Sequence, residues 1–182
     1  MIANYLDRAL LATSLALALA AAPAAAKDAG ETYYTKIGFS YEKNHTETTN
    51  YFKGTRVPMN TQVTVTDKDK KSIKIELMDS SKTEIVIKNI EKYTKVPVDS
   101  IMTRYFSKEK VSEADLTPTF LTDIQAGKIT VGMTRKDVIA SVGYPPAHKT
   151  PSLDGDEWTY WQNRYGTELV TFKDGKVAAI KD

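Results

Sequence analysis

No cysteine occurs among the 182 residues, which removes disulfides, thiolate nucleophiles, cysteine-based zinc sites and any lipid anchor attached through sulfur. Histidine is nearly absent as well. His45 and His148 stand alone, with no H-x-x-x-H or H-x-x-E-H spacing to present two ligands to a metal. No G-x-S-x-G elbow accompanies His148 and no glycine-rich phosphate cradle is present, so neither a serine hydrolase nor a nucleotide site is written here. A dominant charge is missing too: the formal net charge is +2, far from the strongly basic face that nucleic acid demands. The acidic run "DGDE" (154–157) lacks the calcium-loop ladder and reads as a polar loop. The expectation from these absences is a non-enzymatic protein with no cofactor and no metal.

One apolar run exists, and it lies at the start. "MIANYLDRALLATSLALALAAAPAAAKD" carries Arg8, then a mostly apolar stretch from Ala9 to Ala22, then Ala24-Ala25-Ala26 in the small-x-small pattern of a cleavage site. The run is shorter than the roughly 20 residues a bilayer span needs. It reads as a secretory signal peptide over residues 1–26, cleaved after about Ala26, with no transmembrane span in the mature chain. Export without cysteine fits a bacterial periplasm better than a disulfide-rich secreted domain. Residues 27–182 are enough for one medium domain or two small ones.

Those residues change rhythm partway along. Up to about Thr94 the pattern is strand-like: "YYTKIGFSYEK" is rich in β-favouring residues, "TQVTVTD" alternates, "KSIKIEL" spaces Ile73, Ile75 and Leu77 two apart, and "TEIVIKNI" repeats this with Ile85 and Ile87. Polar clusters "DKDKK" and "MDSSK" supply tight turns, and Pro58 and Asn60 bend the chain within "GTRVPMNTQV". Such strands suit a small antiparallel sheet, partly closed into a barrel. Val98, Ile101, Met102, Tyr105 and Phe106 then recur at helical spacing, predicting a short amphipathic helix. A polar linker is expected over 107–116, dividing a β domain (27–106) from a second unit (117–182). In that unit Phe120, Leu121 and Ile124 mark a helix stopped by Gly127. A second helix follows, with Thr134 as N-cap, Asp137 at N3 and Gly143 at its end. Three strands complete it, the last two joined at Asp174-Gly175, a hairpin signal. The fold class is α+β.

The run "GKITVGMTRKDVIASVGYPP", then "DEWTYW", then "VTFKDGKVAAI", resembles the SmpA/OmlA domain of BamE-like outer-membrane proteins. Gly132, Thr134, Val138, Val142, Gly143 and Pro145 occupy its first motif, Trp158 and Tyr160 its second, and Phe172, Gly175 and Val177 its third. The resemblance implies a two-helix, three-stranded module, similar to the β-lactamase-inhibitor-protein fold, that serves as a binding or scaffold unit in the bacterial envelope, in or near outer-membrane assembly. Members of that machinery are tethered through a lipidated cysteine, and this chain departs from them there. More loosely, residues 31–106 resemble a bacterial SH3-like barrel.

The same positions have a plainer reading. Val138 and Val142 share a helix face, and Trp158 and Tyr160 share a strand face, so most of the motif specifies packing. Because neighbours on a strand alternate, either that pair or Trp161 is left on an outer surface. An exposed tryptophan rimmed by tyrosine and arginine has the composition of an interaction hot spot. Tyr144, Pro145, Pro146, His148, Trp161, Arg164 and Tyr165 are therefore the expected interaction residues, and the expected partner is another envelope protein. Two alternatives stand beside this: a peptidoglycan- or small-ligand-binding module using a groove of Tyr33, Tyr34, Tyr51 and Phe52, and an enzyme inhibitor.

Overall fold

The computed structural model describes residues 30–182, so the leader segment lies outside the described residues. The alternation read in the first half becomes one sheet. Strands β1 (Glu31–Thr35), β2 (Phe39–Tyr41), β3 (His45–Glu47), β4 (Thr55–Val57), β5 (Gln62–Lys68), β6 (Ser72–Leu77) and β7 (Glu84–Lys88) precede two helices, α1 (Glu91–Thr94) and α2 (Val98–Tyr105), and strand β8 (Phe106–Ser107). Six of these strands form a sheet in the order β3-β7-β6-β5-β1-β8. Val63, Val65, Ile73, Ile75, Ile85 and Ile87 lie on one face with no exposed surface. Each such side chain contributes about 1.5–3 kcal/mol on burial. The amphipathic helix is α2, which lays Val98, Ile101, Met102 and Tyr105 into this core. The polar turns form as the sequence implies: Asp69 accepts hydrogen bonds from the Lys71 and Ser72 amides, and Asp79 from the Ser81 amide.

Two features differ from the sequence expectation. The sheet is open, with β3 and β8 as its edges, and β3 runs parallel to β7. The stretch "YYTKIGFSYEK" forms two strands. It breaks at Lys36-Ile37-Gly38, where the Lys36 amide donates to Tyr105 and the Gly38 amide to Ala140. The chain thereby leaves the large sheet and enters a separate ribbon of β2 and β4. Buried Ile37 anchors the crossing.

In the second half, α3 (Leu121–Ala126) ends at Gly127 with φ 70°, and α4 (Arg135–Val142) follows. Thr134 caps α4 in a full capping box with Asp137. Strands β9 (Glu157–Trp161), β10 (Thr167–Lys173) and β11 (Lys176–Lys181) form a three-stranded antiparallel sheet. The β10–β11 hairpin turns through Asp174 and Gly175, at φ 51° and 77°, the left-handed pair that such a turn requires. Ile124, Met133, Val138, Val142, Trp158, Tyr160, Val170 and Phe172 form a second core. In it the Trp158 and Phe172 rings pack 4.7 Å apart, and the Tyr160 hydroxyl donates to the Gly143 carbonyl. Among the described residues no helix is long and apolar enough to cross a membrane.

The two cores are joined by specific contacts. Met59 and Phe52, from the first half, pack into the second core, and Ile139 of α4 touches both. The Arg56 guanidinium donates to the Ser141 carbonyl, and the Asn50 amide to the Tyr144 carbonyl. Burial lowers the Arg56 pKa to about 10, since desolvation disfavours its charge. The stretch 107–116 is fastened as well: the Asn60 side chain bonds both the amide and the carbonyl of Val111, and Leu116 is buried.

Candidate binding cleft

Strand alternation decides which aromatic residues face outward. Trp158 and Tyr160 have no exposed surface, so Trp161 at the end of β9 points to the other side, where it is half-buried. The loop preceding β9 brings His148 to it. That loop is held by the Pro146 carbonyl, which accepts from the Lys149 and Thr150 amides, and by the Thr150 hydroxyl, which accepts from the Thr159 amide. The imidazole of His148 lies 6.4 Å from the Trp161 ring and stacked, with 11° between planes.

The far wall comes from the first half. A buried polar network sets it: the Thr48 and Thr94 hydroxyls both donate to the Asn89 side-chain oxygen, and the Asn89 amide donates to the Val96 carbonyl. With its partners satisfied, this network fixes the short helix α1 that carries Tyr93. The Tyr93 ring then sits 4.4 Å from the His148 ring, and the His148 amide donates to the Tyr93 carbonyl. Thr49, Tyr51, Tyr93, His148, Trp161 and Arg164 line a cavity of about 260 Å³. Tyr51 and Arg164 also line an adjoining groove of about 510 Å³, which runs past Glu42, His45 and Glu47.

Three electrostatic facts define the cavity. Burial, aided by Lys149, Lys95 and Lys92, pushes the His148 pKa below its ordinary value, so the ring is neutral at neutral pH. Among the described residues no aspartate or glutamate lines the cavity. Among the described residues, neither the His148 Nδ1 nor the Thr49 hydroxyl, both buried, has a hydrogen-bond partner. Most buried polar atoms are paired, so two unpaired ones on a single cavity wall are notable.

The expected interaction residues divide accordingly. His148, Trp161 and Arg164 converge on the cavity. Tyr165 is 86 % exposed at the tip of the β9–β10 turn, beneath the Arg164 guanidinium. Pro145 and Pro146 are buried and offer no surface, while Tyr144 is half-buried under Arg104. The groove of Tyr33, Tyr34, Tyr51 and Phe52 does not form. Tyr33 is buried beside Phe106, Tyr34 lies beneath Lys110, Phe52 packs on Tyr160, and Tyr51 alone reaches the cleft. Thr49 and Tyr93 carried no signal of their own in the sequence. Their only hint is the polar set Thr48, Asn89 and Thr94, spaced too irregularly to read before folding.

No known protein family, no curated protein and no solved structure matches the chain.

Proposed function

We propose that the protein is an exported, non-enzymatic binding module of the bacterial cell envelope, and that the cleft between its halves receives a segment of a partner protein. In this reading residues 117–182 form an SmpA/OmlA-like (BamE-like) unit and residues 27–106 an SH3-like β unit, joined by residues 107–116. Two helices followed by a three-stranded sheet, with the motif residues in core and turn positions, support the first assignment. The β-rich first half with its single packed helix supports the second, although its sheet is open and contains a parallel pair.

One observation carries the functional reading. Tyr51 and Tyr93 from the first half meet His148, Trp161 and Arg164 from the second around one cavity. Aromatic residues with a flanking arginine are the composition of binding hot spots. Catalysis is less well served, because no carboxylate lines the cavity to orient His148 and its Nδ1 bonds no side chain.

Crosslinking from intact envelope tests this. Wild type should capture a defined partner, a Trp161→Ala, His148→Ala double variant should lose it, and a Tyr34→Ala variant outside the cleft should keep it. Capture that survives the double variant overturns the reading. Sedimentation with purified cell wall in place of protein capture also overturns it, in favour of wall binding.

A further inference from the structure

We infer that the cavity is an anion pocket for a ring-bearing carboxylate of single-residue size, such as the C-terminal residue of an extended peptide. The inference rests on the reading of the cleft as a binding site and names the chemistry it selects.

Size sets the first limit. Pockets for drug-sized ligands run to roughly 300–1,000 Å³, so a cavity of about 260 Å³ takes one side chain and little more. Ring geometry sets the second. Tyr93 and Trp161 flank His148 at 4.4 Å and 6.4 Å, and a flat apolar group can pack on or edge against such faces.

Charge sets the third. Arg164 from the β9–β10 turn lines the cavity, Lys92 of α1 lies 4.6 Å over the Tyr93 ring, and Lys95 and Lys149 act on His148 through their charge. Glu42 and Glu47 line the adjoining groove and not the cavity, and Glu47 pairs with Lys88. A neutral sugar would ask for carboxylate or amide acceptors around an aromatic platform, and the cavity wall has none. A carboxylate instead gains from the lysines and from Arg164, which can bind it through two parallel N–H donors. The unpartnered Thr49 hydroxyl and His148 Nδ1 supply further hydrogen-bonding capacity at the same wall. Because the pocket opens at Tyr51 and Arg164 into the groove, the residues preceding a C-terminal carboxylate have a path to follow.

Titration of the mature chain with N-acetyl-phenylalanine, N-acetyl-phenylalaninamide and N-acetylglucosamine, read by the His148 ring and Trp161 indole NMR signals, tests the inference. The acid should shift both signals saturably. Its amide should bind about ten-fold more weakly, as expected for loss of a charge-assisted contact. Arg164→Gln, an exposed change that leaves the core untouched, should weaken the acid and leave the amide unchanged. Equal binding of acid and amide overturns the proposal, as do shifts from the sugar alone or no shift from any probe. If the acid fails while the Trp161 variant still loses its envelope partner, the carboxylate preference falls and the binding cleft stands. If both fail, the cleft reading falls with it.

Discussion

Replacing Asp137 by alanine should cost about 4 kcal/mol of stability and lower Tm by about 10 °C, the conversion appropriate to a chain of this length. Asp137 lies inside the first turn of α4 with no exposed surface. Its carboxylate accepts four hydrogen bonds, from the amide and hydroxyl of Thr117 and from the amide and hydroxyl of Thr134, all at 2.8–2.9 Å. The alanine variant keeps the N-cap bond from its own amide to the Thr134 hydroxyl but loses the reciprocal half of the box. That strands the backbone amides of Thr117 and Thr134 at about 1–3 kcal/mol each. Burial by itself would raise the Asp137 pKa, but the four donors outweigh it and hold the carboxyl below its ordinary value. Its folded pKa is thus below its unfolded one. The stabilisation is therefore complete above the ordinary aspartate range and drains away as pH falls through and below it. Urea midpoints across that acid range should fall for wild type and show a smaller pH dependence for Asp137→Ala. A midpoint at neutral pH unmoved by the substitution would contradict this account of the α4 start.

Gly38→Ala should destabilise the junction by about 2–3 kcal/mol, near the upper end for inserting a methyl into packed structure. Gly38 lies at the junction of the halves, where its amide donates to the Ala140 carbonyl. A Cβ there would stand 2.5 Å from the Ser141 carbonyl oxygen and would also collide with the Arg56 guanidinium. One obstacle is backbone, so a rotamer change of Arg56 cannot relieve it. The variant must instead part α4 from the β2–β4 ribbon and loosen the cleft with it. Both tryptophans lie in the second half, so their fluorescence reports that half, while far-ultraviolet circular dichroism reports the whole chain. The two urea transitions should coincide in wild type and separate in Gly38→Ala. Coincident, unshifted transitions in the variant would show that the halves do not depend on this contact.

Local chemistry was the legible part of the sequence. The Thr134–Asp137 box, the left-handed Gly127 and the Asp174-Gly175 turn are each decided by residues within a few positions of one another, and each formed as read. The outward turn of Trp161 followed once Trp158 and Tyr160 were seen to be core. The parallel β3–β7 pair was not legible, because His45-Thr46-Glu47 is short, polar and without alternation, and its pairing is decided by tertiary packing. The burial of Pro145 and Pro146 escaped for a related reason. Proline-rich loops usually lie on surfaces, but this one runs beneath Asn50, whose side chain holds the Tyr144 carbonyl. Half of the cleft was hidden likewise, since Thr49, Tyr51 and Tyr93 reach His148 only after both halves have folded and docked.

If a partner segment enters this cleft, as proposed, site-specific photocrosslinking in the envelope will catch it there. A photoreactive residue replacing Tyr51, on the cleft rim, is compared with one replacing Met78, outside it. The two positions are matched in accessibility, at 37 % and 41 % exposed. A discrete adduct is expected from position 51, lost when Trp161→Ala is added, and none from position 78. Adducts of equal yield from both positions, or an adduct from position 78 alone, would contradict that proposal.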